Sequence, residues 1–211
     1  MRTGRPRSFD RDEALDRAVA VFWEHGYDAT PISLLTRALG IGAPSLYAAF
    51  GDKRALFLEA LDRYMRTYGA FTERALAAEP NARDAVERLL REAAAAYTRP
   101  ERPRGCLLIT AATNCSPQSA DIAARLRELR AHGTRALEGK IAAAARTGEL
   151  PARTDAHALA TFYAAVLQGM SAQARDGAAR TDLEQIAEAA LQAWPSAAGP
   201  AADGGAGTAW K

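Results

Sequence analysis

Cys106 is the residue whose neighbours most directly suggest chemistry. It follows Arg102-Pro103-Arg104-Gly105 and opens the run CLLITAATN. That run reads as a helix with Cys106 in its first turn. A thiol at a helix N-terminus beside arginines is biased toward thiolate, the form that reacts with oxidants and electrophiles. The same residue also reads as a small buried hydrophobe. Cys115 lies nine residues on. A continuous helix would separate the two by about 13 Å, and a disulfide needs Cα atoms within about 7 Å, so no intrachain bridge is expected. As an enzyme nucleophile Cys106 would need a base, and His132 or His157 would have to supply it. No nucleophile motif surrounds Cys106.

A second chemistry sits at the N-terminus. Arg2, Arg5 and Arg7 precede Asp10 with no acid among them. Such an arm can lie along phosphates or enter a minor groove; a solvated tail is the alternative. Placement matters more than total charge: residues 1–57 carry eight basic and seven acidic side chains, and the whole chain is only +2. That thin balance argues against a constitutive, non-specific nucleic-acid-packaging protein. Two cysteines and three histidines leave no disulfide framework and no metal or cofactor site to expect. The polar N-terminus does not read as a signal peptide. The apolar run from Ala158 to Met170 is too short to span a bilayer, so a cytoplasmic protein without a membrane partner is expected.

The elements that would position these residues are all helices. Apolar residues recur at helical spacing in Leu15, Ala18, Val19, Phe22, Trp23; in Phe57, Ala60, Leu61, Tyr64, Met65, Tyr68; and in Val86, Leu89, Leu90, Ala93, Ala94, Tyr97. Two further stripes run Leu159, Phe162, Tyr163, Val166, Leu167, Met170 and Leu183, Ile186, Ala187, Ala190, Leu191, Trp194. Each is one face of an amphipathic helix, and no alternating strand pattern or hairpin turn occurs. Asp10, Asp52, Ser116 and Thr154 or Asp155 are candidate N-caps. Short helices at about 10–25, 33–39 and 43–50 precede longer ones. This divides the chain into an N-terminal unit, residues 1–57, and a helical body, 58–195. Residues 196–211 are low-complexity and read as a disordered tail.

Residues 29–57 read ATPISLLTRALGIGAPSLYAAFGDKRALF. This is a helix, a glycine turn and a second helix, with a capped third helix after it, the layout of a helix-turn-helix. The segment resembles the DNA-binding domain of the tetracycline-repressor (TetR) family of bacterial regulators. The resemblance is carried by Phe22, Gly26-Tyr27, Thr30, Ala38, Gly40-Ile41, Ser45-Leu46-Tyr47, Phe50, Lys53 and Leu56, and it is close over about residues 8–68.

The resemblance implies a DNA-binding transcriptional regulator, a repressor released from a palindromic operator by a small-molecule or redox/electrophile signal. It implies that Thr30 caps the second helix and bonds a phosphate. Tyr47 would meet phosphate or a thymine methyl, Ser45 and Ala43 would face base edges, and Lys53 would contact phosphate. Core packing is the alternative for Tyr47. One departure stands out: the family usually has Ser or Thr where this chain has Gly42, and often a basic or polar residue at Ala43. Gly42 and Pro44 still suit a helix start, but the base-reading capacity of this helix is thin.

In this family the last two helices pair with their copies to form a dimer. The candidates here are Phe162, Val166, Met170, Leu183, Ile186, Ala190 and Trp194; an intrachain core is the alternative. The middle helices should enclose a pocket for an unknown effector, lined by Tyr64, Tyr68, Tyr97, Leu108, Phe162 and Tyr163. An apolar or aromatic ligand fits such a lining better than a sugar phosphate.

Overall fold

The computed structural model describes residues 9–113 and 115–195. Arg2, Arg5, Arg7 and the tail 196–211 lie outside the described residues. Within them the regular structure is ten α-helices and one short 3-10 turn, Pro117–Ser119. The all-α expectation is met.

Four helices build the N-terminal head: α1 (Arg11–His25), α2 (Ile32–Leu39), α3 (Ala43–Phe50) and α4 (Lys53–Arg66). Six more build the body: α5 (Phe71–Ala78), α6 (Ala82–Tyr97), α7 (Leu107–Thr113), α8 (Ala120–Thr147), α9 (Ala156–Arg175) and α10 (Arg180–Leu191). Side-chain oxygens cap several starts. Asp10 accepts from the N–H groups of Asp12 and Glu13, Asp52 from Ala55, Asn81 from Asp84 and Asp155 from Ala158. Each satisfies donors that the first turn leaves unpaired. Ser116 precedes the 3-10 turn without a side-chain cap bond.

The inward faces are the stripes read from the sequence. In the head, Phe22 meets Phe57 edge-on with centroids 5.0 Å apart. Leu35, Leu46 and Leu56 are fully buried beside them. In the body, α6 lies among α5, α9 and α10, and α8 packs along α9. No helix among the described residues is long and apolar enough to cross a membrane.

The last two stripes need a correction. Met170, Leu183 and Ala190, expected at a dimer face, are buried within their own chain. Tyr163 explains the geometry: it is fully buried, and its hydroxyl donates to the Ala190 carbonyl at 3.2 Å, tying α9 to α10. Phe162, one residue away, points outward and is 40% exposed. Val166, Ile186 and Trp194 are half-buried.

Candidate nucleic-acid interface and effector cavity

The turn between α2 and α3 needs Gly40, whose backbone is left-handed at φ 70°. That is a conformation few side chains tolerate. Its N–H and that of Ile41 fold back on the carbonyls of Arg37 and Thr36 and end α2 cleanly. α3 then starts from Gly42 with no side-chain cap, and Pro44 sits in its first turn. Leu46 and Phe50 face inward. Arg11 pins the far end of α3: its guanidinium lies 4.6 Å from the Phe50 ring centroid, bonds the Ala49 carbonyl and pairs with Glu59. Pro44, Ser45 and Tyr47 form the exposed face, Ala43 is half-buried, and Tyr47 is 48% exposed. The reading of Tyr47 as a core aromatic therefore fails.

Thr30 also needs correction. It is fully buried, and its hydroxyl donates to the Gly26 carbonyl at 2.6 Å. The N-cap of α2 is Pro31, with no side-chain bond. Thr30 thus closes the α1–α2 turn and neither caps α2 nor faces a phosphate. Lys53 is half-buried, with Nζ 4.4 Å from the Tyr27 ring centroid. Burial holds its pKa below the ordinary lysine value, and nearby Asp28 opposes that shift. Arg37, not singled out in the sequence, is exposed and makes no ion pair among the described residues. A lone arginine outside α3 carries no signal in one sequence.

In the body a cavity of about 140 Å³ lies between α4, α5, α6, α7, α8 and α9. Tyr64, Tyr97, Leu108 and Cys106 line it, with Leu89, Leu129, Leu137 and Leu167. Exposed Glu73, His132 and Gln168 mark its mouth. Three expected lining residues are elsewhere. Tyr68 stacks near Trp23 under the Arg102 guanidinium. Phe162 is on the outer face of α9, and Tyr163 is packed against Trp194.

Cys106 sits just before α7, at the head of a helix as expected, but its environment is not the expected one. Arg102 lies on Tyr68, and Arg104 bonds the Ala178 carbonyl. The thiol is buried, and burial pushes its pKa up despite the Tyr64 hydroxyl, which donates to Sγ at 3.5 Å. Desolvation outweighs the helix N-terminus, so the expected bias toward thiolate is overturned. The same burial keeps the Tyr64 and Tyr97 phenols protonated, far above their ordinary pKa.

Comparison with known proteins agrees with this architecture. The profile for bacterial regulatory proteins of the tetR family matches residues 14–60. That for the tetracyclin repressor-like C-terminal domain matches residues 82–191. The chain is 41% identical over 196 residues to the HTH-type transcriptional repressor ComR of Escherichia coli K12, covering 91% of this chain and 92% of ComR. It is 31% identical to the repressor BdcR of the same organism, covering 90% of each. Among solved structures, a cysteine-substituted form of the TetR family regulator CifR, complexed with 26-bp double-strand operator DNA, superposes with a TM-score of 0.87. It shares 45% identity and covers 91% of this chain and 100% of that one. The structure places the helix-turn-helix within the first match and the α6–α10 bundle within the second, and the chain belongs to the TetR family of DNA-binding transcriptional regulators, which are not enzymes.

Proposed function

We propose that this chain is a repressor that binds a palindromic operator as a homodimer and releases it when the body cavity is filled. The observation that carries the release step is shared walls. Tyr64 and Met65 belong to α4, a helix of the DNA-binding head, and they line the same cavity as α7 and α8. A ligand there pushes directly on a head helix, so its binding energy differs between two head positions. That difference is the requirement for any ligand-driven switch. The apolar lining favours a small, uncharged, largely apolar effector.

Dimerisation is supported by the outer face of α9, where Ala158, Phe162, Ala165, Gly169 and Ala172 are exposed. Small residues let two helices approach closely around Phe162. Two heads are needed because one short recognition helix reads little sequence, and a two-fold dimer reads a two-fold site. As a DNA-bound regulator the chain would act in the cytoplasm.

A redox or electrophile signal is a second reading, favoured by one observation: Cys106 is on the cavity wall. An apolar electrophile entering the cavity would meet the thiol. Operator binding by the full chain, measured with and without candidate apolar compounds and a quinone, tests both readings. Release by an unreactive apolar compound in wild type and in Cys106→Ser supports the cavity reading. Release by the quinone that Cys106→Ser abolishes supports the second. If occupants of the cavity demonstrated by mass spectrometry leave affinity unchanged, both are wrong.

A further inference from the structure

The body cavity has apolar walls and one polar end. Its volume of about 140 Å³ suits a molecule about the size of benzene. Leu89, Leu129, Leu137 and Leu167 form apolar walls. The polar end is where Tyr64, Tyr97 and Cys106 meet. The Tyr64 hydroxyl donates to the Cys106 sulfur at 3.5 Å, and the Tyr97 hydroxyl interacts with the same sulfur. Both tyrosines are buried. A thiol sulfur is a weak acceptor, so two phenol donors share a partner that satisfies them poorly. Burial holds both phenols in the protonated form, so they remain donors at neutral pH.

A buried donor without a strong acceptor carries a desolvation cost that nothing offsets. A ligand oxygen placed against the two phenols offsets it. Arg130 defines the competing class of ligand. It lines the cavity, half-buried, and pairs with no carboxylate among the described residues, which would suit an anion. Its guanidinium, however, is engaged with the Leu108 carbonyl at 3.1 Å. A carboxylate also loses far more hydration than a carbonyl on entering leucine walls. We propose that the cavity takes a small apolar molecule bearing one uncharged acceptor oxygen, a carbonyl or an ether, which displaces the Cys106 sulfur as the partner of Tyr64 and Tyr97. The proposal rests on the reading of this cavity as the effector site. It also gives the oxygen a route to the head: Tyr64 belongs to α4, and its ring meets Trp23 of α1 edge-on with centroids 4.8 Å apart.

The test uses the full chain and probes of similar size: cyclohexanone, methylenecyclohexane and cyclohexanecarboxylate. The first two differ only in that a CH2 group replaces the oxygen. Calorimetric titration gives the ratio of ketone to alkene affinity in wild type, Tyr64→Phe and Tyr97→Phe. A net hydrogen bond is worth about fivefold in affinity, so the ratio should fall about fivefold with each phenol removed, while the alkene binds much as before. The infrared stretch of bound cyclohexanone gives a second measure that needs no variant: in wild type it should lie below its position in hexane. An unchanged ratio in both variants, or a stretch at the hexane position, overturns the inference and leaves the cavity reading intact. Tighter binding of the carboxylate than of the ketone does the same. Ketone binding that leaves operator affinity unchanged upholds the inference and overturns the release step. If no probe binds wild type, the cavity reading falls and the inference with it.

Discussion

Lys53 shows how a single residue can be placed by sequence and still be incompletely described by it. Its position just after α3, the proposed recognition helix, is what assigns it to phosphate in the family resemblance. Its seat over Tyr27, with Asp28 nearby, could not be read from spacing, because the partners lie in another turn of the head. Lys53→Ala should weaken binding to all duplex sequences alike and reduce the salt slope by about one. Lys53→Arg should restore the slope. Affinity titrations at several salt concentrations check this; an unchanged slope would assign Lys53 to the Tyr27 contact alone. Thr30 and Cys106 make the complementary point. Both occupy the positions that their motifs imply, yet burial decides their chemistry. Thr30 spends its hydroxyl on Gly26, and Cys106 is desolvated against Tyr64. Burial of one side chain depends on what long-range packing lays over it, which local pattern does not encode.

At the scale of elements, helix type and order were legible because glycine, proline and cap residues punctuate them and apolar stripes fill them. What was hidden is how head and body are joined. One link is α4, which begins in the head and reaches the cavity through Tyr64 and Met65. A second link runs through α7 and the start of α8. Gly105, at φ 77°, lies so close to α9 that an added Cβ would be 2.8 Å from the Ser171 carbonyl oxygen. Its own carbonyl accepts from Trp23 of α1. Beyond α7, the Asp28 carboxylate of the head accepts from the Ser116 N–H and the Ser119 hydroxyl, each at 2.5 Å. Burial raises the Asp28 pKa, but these bonds outweigh it and leave the value below normal. A depressed carboxylate pKa stabilises the fold above the unfolded value of about 3.9, and that contribution is lost as pH falls through the folded value. The hook is therefore intact at neutral pH. Asp28→Asn replaces one acceptor oxygen with a donor and breaks half of it. Stability should fall by about 1–2 kcal/mol. Operator affinity without effector should change little, while the response to effector should weaken. Chemical denaturation and operator titration check the two parts, and an unaltered response would remove the Asp28 hook from the coupling.

For the whole molecule, the proposed homodimer needs a surface that pairs two copies. The apolar stripe of α9 is the obvious choice in sequence, since helical periodicity marks a buried face. It does not say whether that burial is within the chain or between chains. Here Tyr163 and Met170 are consumed by the chain's own core. The adjacent face of Ala158, Phe162, Ala165, Gly169 and Ala172 remains open. It escapes hydropathy reading because four of its five residues are small. If this face forms the dimer, an arginine at Ala165 places a long charged side chain where two helices must approach closely. The exposed position leaves the monomer fold undisturbed, since an exposed surface substitution typically shifts stability by under about 0.5 kcal/mol. Ala165→Arg should therefore sediment as a monomer with unchanged helicity. Each head would then bind a half-site alone. Two linked heads exceed one by about a hundredfold or more, so affinity for the full palindrome should fall by at least that factor while affinity for an isolated half-site is retained. Sedimentation and operator titration on the same sample separate the outcomes. A dimeric Ala165→Arg with wild-type affinity would move the interface to another face, and a monomer that still binds the palindrome tightly would remove the need for two-fold pairing altogether.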